Sequence, residues 1–246
     1  DLVLEGATLE QVDEILTLVK YGEALLKEWH LDKKIKGGYK CLFYGPSGTG
    51  KTLTATLIGK HTQKDVYRID LSMIVSKFIG ETEKNLSKVF EKAATKDWIL
   101  FFDEADALFG KRTSVGDSHD RYANQEVSFL LQKLEDHEGL VILATNLKSN
   151  IDEAFTRRFQ SVIHFPMPKA RERALLWQKT FSTKSTLHEN VDLQDVAETY
   201  ELSGGAITNV VRYASLMALK NETDIIDVNW ILRGVKKEFL KEGKTL

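Results

Sequence analysis

Covalent bracing is absent: the chain has one cysteine, Cys41, so no internal disulfide can form. Cys41 lies in the apolar run Cys41-Leu42-Phe43-Tyr44, where a thiol is expected to act as a small core residue. There is no long apolar run and no signal peptide, so no membrane-spanning segment is expected. Neither sign of charge dominates. Lys and Arg number 34 against 36 Asp and Glu, for a net charge of −2. That balance supplies no bulk attraction for nucleic acid or an anionic membrane. Internal repeats and low-complexity tracts are missing. The histidines, among them His30, His61, His137 and His164, do not fall at metal-ligand spacing and are expected at the surface or as satisfied core groups. The chain starts at Asp1 without a methionine, which reads as a piece of a longer protein. Proline is scarce, with two of the three residues in Phe165-Pro166-Met167-Pro168.

What is present has a clear rhythm. Apolar runs at 40–44, 65–70, 98–102, 140–144 and 161–165 read as strands. Helical patterns fall near 51–62, 82–95 and 121–136, and an opening amphipathic helix near 8–29 has Thr8 as its expected cap. Strand alternating with helix predicts an α/β fold with a parallel sheet flanked by helices. After the prolines only helical patterns recur, near 169–180, 192–199, 205–220 and 227–240. The expected organisation is therefore a large α/β domain over 1–167 and a small all-helical lid over 168–246. The polar, glycine-containing stretch 110–120 reads as a loop.

The strongest motif is Gly45-Pro46-Ser47-Gly48-Thr49-Gly50-Lys51-Thr52, which matches G-x-x-x-x-G-K-[ST] between a strand and a helix. Glycines let backbone N–H groups turn inward around phosphate oxygens, and the following helix presents its positive end to the same anion. Lys51 is expected to reach the β- and γ-phosphates, and the Thr52 hydroxyl to ligate Mg²⁺. Leu53 completes the expected nucleotide contacts at this turn.

A second motif is the apolar strand Ile99-Leu100-Phe101-Phe102 ending in Asp103-Glu104. Asp103 is expected to help hold Mg²⁺, and Glu104 to orient and polarise the attacking water. The run Leu140-Val141-Ile142-Leu143-Ala144-Thr145-Asn146 reads as a buried strand ending in a polar amide, and Asn146 is expected beside the γ-phosphate, where it could help hold that water. The letters Asp103-Glu104-Ala105-Asp106 also spell the signature of DEAD-box helicases. Such helicases need a second α/β domain downstream, whereas only a short helical segment follows here.

Taken in order, these motifs and the Asp152-Glu153-Ala154-Phe155-Thr156-Arg157-Arg158-Phe159 segment resemble the AAA subgroup of AAA+ ATPases over nearly the whole chain. The resemblance implies a P-loop NTPase fold, ATP/ADP and Mg²⁺ as ligands, and a cytoplasmic ring homo-oligomer, a hexamer, working on polypeptides. In that family, arginines at the position of Arg157 and Arg158 enter the neighbouring subunit's ATP site. The family pattern has more residues between its two arginines, so the resemblance does not choose between them. Lys77, Phe78, Ile79 and Gly80 resemble the first pore loop, in which an aromatic grips substrate by apolar contact. Lys111, Arg112 and His119 fall in the place of a second one. Ser203-Gly204-Gly205-Ala206 resembles a nucleotide-contacting Ser-Gly-Ala-Asp segment, with Gly205 the expected contact and Ala206 where the family has aspartate. Tyr67–Ser72, Phe109–Arg112 and Asn146–Asn150 further resemble bacterial AAA ATPases encoded beside contractile injection systems, implying sheath or cargo as substrate. Two other classes stay open: a DNA-directed AAA+ machine, against which the charge balance counts, and a nucleotide-binding structural module, against which Glu104 counts.

Overall fold

The computed structural model describes residues 2–71, 81–108, 128–146 and 153–244. The chain divides into two compact units. One comprises 6–45 and 51–165; the other comprises 1–5, 46–50 and 166–246.

The first unit is built on five parallel strands: β1 (Tyr39–Tyr44), β2 (Val66–Asp70), β3 (Ile99–Asp103), β4 (Leu140–Thr145) and β5 (Ser161–His164). Their order is β2-β3-β4-β1-β5. Helices α1 (Gly6–Lys27), α2 (Lys51–Thr62), α3 (Glu81–Lys96) and the short α4 (Glu153–Thr156) accompany them. All six residues of β4 are buried, as are the first four of β3. Runs that are apolar on both faces are what a sheet covered on both sides requires. Leu42, Phe102 and Leu143 pack in its core with Leu86 and Phe90 of α3 and with Leu130 and Leu134 of a helical stretch at 128–136. Cys41 is fully buried, and burial pushes its thiol pKa far up, as expected of a core residue.

The chain leaves β1, crosses to the edge at β2, and returns through β3 and β4 to the side of β1. The carboxyl ends of β1, β3 and β4 therefore lie next to one another, where open parallel sheets hold ligands.

Two expectations fail here. Thr8 lies inside α1 rather than capping it, and its hydroxyl donates to the His164 carbonyl at 3.0 Å. A hydroxyl two residues into the helix cannot cap its first N–H groups, and this one ties α1 to the end of β5 instead. Nor is His137 satisfied: its Nε2 is buried with no hydrogen-bond partner among the described residues. Its ring stands edge-on to Phe90, and burial lowers its pKa.

The second unit carries α5 (Ala170–Thr180), α6 (Leu193–Thr199), α7 (Gly204–Lys220) and α8 (Val228–Lys241) around Trp177, Ile207, Ile231 and Val235. Three of these helices start on side-chain caps. Asp192, Ser203 and Asp227 accept from backbone N–H groups of the first turn, as at Asp227 Oδ1 from Asn229 at 2.8 Å. The unit is not purely helical. Thr186–Leu187 (β6) and Ile225–Ile226 (β7) form a two-stranded parallel sheet. Strands of two residues are too short to show alternation in sequence.

Candidate active site

In the α/β unit the register fixes which groups meet. Tyr44 lies opposite Thr145, so Gly45 and Asn146 leave adjacent strands together, and the Gly45 N–H donates to the Thr145 carbonyl at 3.2 Å. Gly45 adopts φ 147°, and a Cβ on it would lie 2.1 Å from the Phe165 carbonyl oxygen. No other residue fits there.

Lys51 opens α2 and is buried at 7% exposure. Its ammonium donates to the Gly45 carbonyl at 2.7 Å and to Asn146 Oδ1 at 2.9 Å. Burial lowers its pKa, while the carboxylates of Asp103 and Asp106 act in the opposite direction. The next residue, Thr52, places its hydroxyl 3.4 Å from Asp103 Oδ2. A hydroxyl and a carboxylate converging at a helix start are hard oxygen donors that suit Mg²⁺. Among the described residues no group of three or more His, Cys, Asp or Glu could hold a metal by itself. A cation at Thr52 and Asp103 would therefore share its shell with phosphate oxygens and water, as Mg²⁺ does.

Glu104 follows directly, is exposed, and takes φ 54°, an uncommon conformation for a glutamate. Its backbone N–H donates to Asp103 Oδ1 at 3.0 Å, which helps fix the carboxylate. Leu53 is 51% exposed on the first turn of α2.

Two groups at this site were not singled out from sequence. Asp106 accepts from the Thr145 hydroxyl and from the Asn146 N–H at 3.1 Å, so it sets the end of β4. Arg68 of β2 donates to Asp103 Oδ2 at 2.6 Å. The signal for Asp106 lay in its place one turn after Asp103. Arg68 gave none, being one charge in a short edge strand.

Within the second unit, Pro46–Gly50 packs with the start of α7. The Gly205 N–H donates to the Gly48 carbonyl at 3.0 Å, and the Thr49 hydroxyl to the Pro46 carbonyl at 2.9 Å. Gly48 has φ 75°, and a Cβ there would come within 2.5 Å of Ser203 Oγ. Ser47 and Gly50 lie in this turn.

Arg157 and Arg158 lie in the turn after α4, and both are exposed. Arg158 forms an ion pair with Glu135. Lys77, Phe78, Ile79 and Gly80, and likewise Lys111, Arg112 and His119, lie outside the described residues.

The model of the ATPase family associated with various cellular activities (AAA) matches residues 41–167. That span contains the phosphate loop, the Asp103-Glu104 strand end, Asn146 and both arginines. Similar proteins include a proteasome-activating nucleotidase of Methanopyrus kandleri, 34% identical over 245 residues that cover 94% of this chain and 55% of that protein. Cell division protein C of Sulfolobus acidocaldarius is 34% identical over 194 residues, 74% of this chain and 51% of that protein. A probable 26S proteasome regulatory subunit 10B of Caenorhabditis elegans is 31% identical over 245 residues, 94% and 59% respectively. The chain thus spans little more than half the length of these relatives. With the family model covering just over half of its residues, the chain belongs to the AAA family of ATPases.

Proposed function

We propose that this chain binds Mg-ATP at Gly45–Thr52, hydrolyses it, and uses the cycle to unfold, remodel or disassemble polypeptide substrates as a ring of identical subunits. The observation that carries the reading is Lys51: a buried ammonium held between the Gly45 carbonyl and Asn146, beside a hydroxyl–carboxylate pair. A buried cation with an adjacent N-terminal helix end is an anion seat. In the proposed reaction Lys51 turns to the β- and γ-phosphates, and Asn146, released from it, orients a water. Glu104 takes the water's proton. Thr52 and Asp103 would hold magnesium, which when bound would supply neutralisation of phosphate charge.

Arg157 and Arg158 are proposed to act on the ATP of an adjacent subunit, where a guanidinium stabilises charge on the transferring phosphoryl group. Lys77, Phe78 and Ile79 are proposed as the substrate-gripping loop. The proposed domains are the large domain over 1–167 and the lid over 168–246, and the proposed location is the cytoplasm. No helix among the described residues is long and apolar enough to cross a membrane. Names such as proteasome-activating nucleotidase support a protein-directed motor over a DNA-directed one. The narrower reading, a contractile sheath or its cargo as substrate, rests on the sequence resemblance alone.

The test pairs Glu104→Gln with an unfolded polypeptide. The wild-type chain should hydrolyse ATP faster when polypeptide is added. The variant should bind ATP yet turn over about a hundredfold slower. Normal turnover in the variant removes Glu104 as base, and no response to polypeptide removes the motor reading.

A further inference from the structure

The end of β3 carries more than the magnesium reading uses. Arg68 lies in register with Phe101, two residues before Asp103. Alternate residues of a strand share a face, so Arg68 and Asp103 are diagonal neighbours on one face of the sheet. The guanidinium crosses that diagonal to reach Asp103 Oδ2 at 2.6 Å. The same oxygen is the one nearest the Thr52 hydroxyl, while Oδ1 is taken by the Glu104 N–H. Asp103 is nearly enclosed, with its side chain 14% exposed, whereas Arg68 is 61% exposed.

We infer that Arg68 is a positioning residue that holds Asp103 in place and sets how tightly the nucleotide site takes Mg²⁺. The inference rests on the reading of Gly45–Thr52 and Asp103 as a Mg-nucleotide site. Its logic is electrostatic. A divalent cation at Thr52 and Asp103 must share Oδ2 with a fixed unit charge, and like charges a few ångströms apart repel. Arg68 therefore opposes the metal and steadies the carboxylate between turnovers. Being mostly in water, the guanidinium is free to swing aside, since an exposed pair contributes little to holding the fold. Arg68 is thus a built-in competitor for the metal, placed on an edge strand where movement disturbs no core.

The experiment titrates Mg²⁺ against binding of a fluorescent ADP analogue, with the metal-free affinity measured alongside and no turnover involved. Arg68→Gln should lower the half-saturating Mg²⁺ concentration roughly threefold to tenfold. Arg68→Lys keeps the charge and should stay close to wild type. An unchanged or raised Mg²⁺ requirement in Arg68→Gln overturns the inference, as does tightening by the lysine variant. A thermal melt guards against misfolding, and should Arg68→Gln fail to fold, Arg68→Ala, which also removes the charge, takes its place with the same expected shift. If the wild-type chain binds no nucleotide in either condition, the nucleotide reading itself fails. Wild-type binding that depends on Mg²⁺, with no change in Arg68→Gln, removes only the role of Arg68.

Discussion

At the scale of single residues, Lys51 and His137 show opposite uses of burial. Lys51 is desolvated but bonded, and its charge is kept by two acceptors and the nearby carboxylates. Lys51→Ala should weaken nucleotide binding by roughly a hundredfold, because a charged contact to phosphate is lost. A fluorescent ATP analogue measures this, and near-unchanged affinity would sink the phosphate-seat assignment. His137 is buried without a partner for Nε2 among the described residues, and burial holds its pKa below the ordinary value of 6.5. The native chain therefore resists a proton that the unfolded chain accepts. The His137 contribution to stability is fully present above pH 6.5 and is lost as pH falls below it. Denaturant melts between pH 7.5 and 5.5 should show that decline, and His137→Phe should flatten it. A slope identical in the two proteins would assign the pH dependence to other groups. Gly45 and Lys51 stood out in the sequence because the motif fixes glycine and lysine at set spacing, and the structure brings the Lys51 ammonium to the Gly45 carbonyl. Arg68 did not, because its role depends on a neighbour 35 positions away in the chain.

Among the elements, the strands were the most readable, because a sheet covered on both faces demands unbroken apolar runs. The expected strand at 40–44 is one residue short of Tyr39–Tyr44 at its start, and the one at 98–102 is shifted by one residue from Ile99–Asp103. The opening helix was harder. Only Thr8, Val12 and Ile15 of α1 are buried, and Trp29, counted from sequence as part of its apolar face, lies beyond its end and is 74% exposed. Helix α7 offers a direct test of how caps hold the second unit. Ser203 Oγ accepts from the Ala206 N–H at 3.2 Å and also abuts Gly48. Ser203→Ala should cost about 1 kcal/mol, a loss of roughly 2–4 °C in melting temperature. A melt no lower than wild type would show that the cap contributes nothing.

For the whole molecule, the proposal that matters is cooperation between copies. If Arg157 and Arg158 act on a neighbour's ATP, activity per subunit should rise with protein concentration. Mixing Glu104→Gln protein with an Arg157→Ala/Arg158→Ala double variant should restore part of the activity that each lacks alone, since some interfaces then pair an intact site with intact arginines. Concentration-independent turnover with no recovery on mixing would mean that each subunit works by itself. The sheet order bears on how such a subunit is made. Strand β1 hydrogen-bonds to β4 and β5, so Tyr39 waits for Leu140 and Cys41 for Ser161. Ribosomal synthesis therefore leaves both edges of β1 open until β4 has been made and one edge open until β5 follows, and loops closed over such separations form slowly. The nascent chain is most vulnerable to aggregation in that interval, so a stalled or truncated product ending before β4 is a sticky strand without its partners.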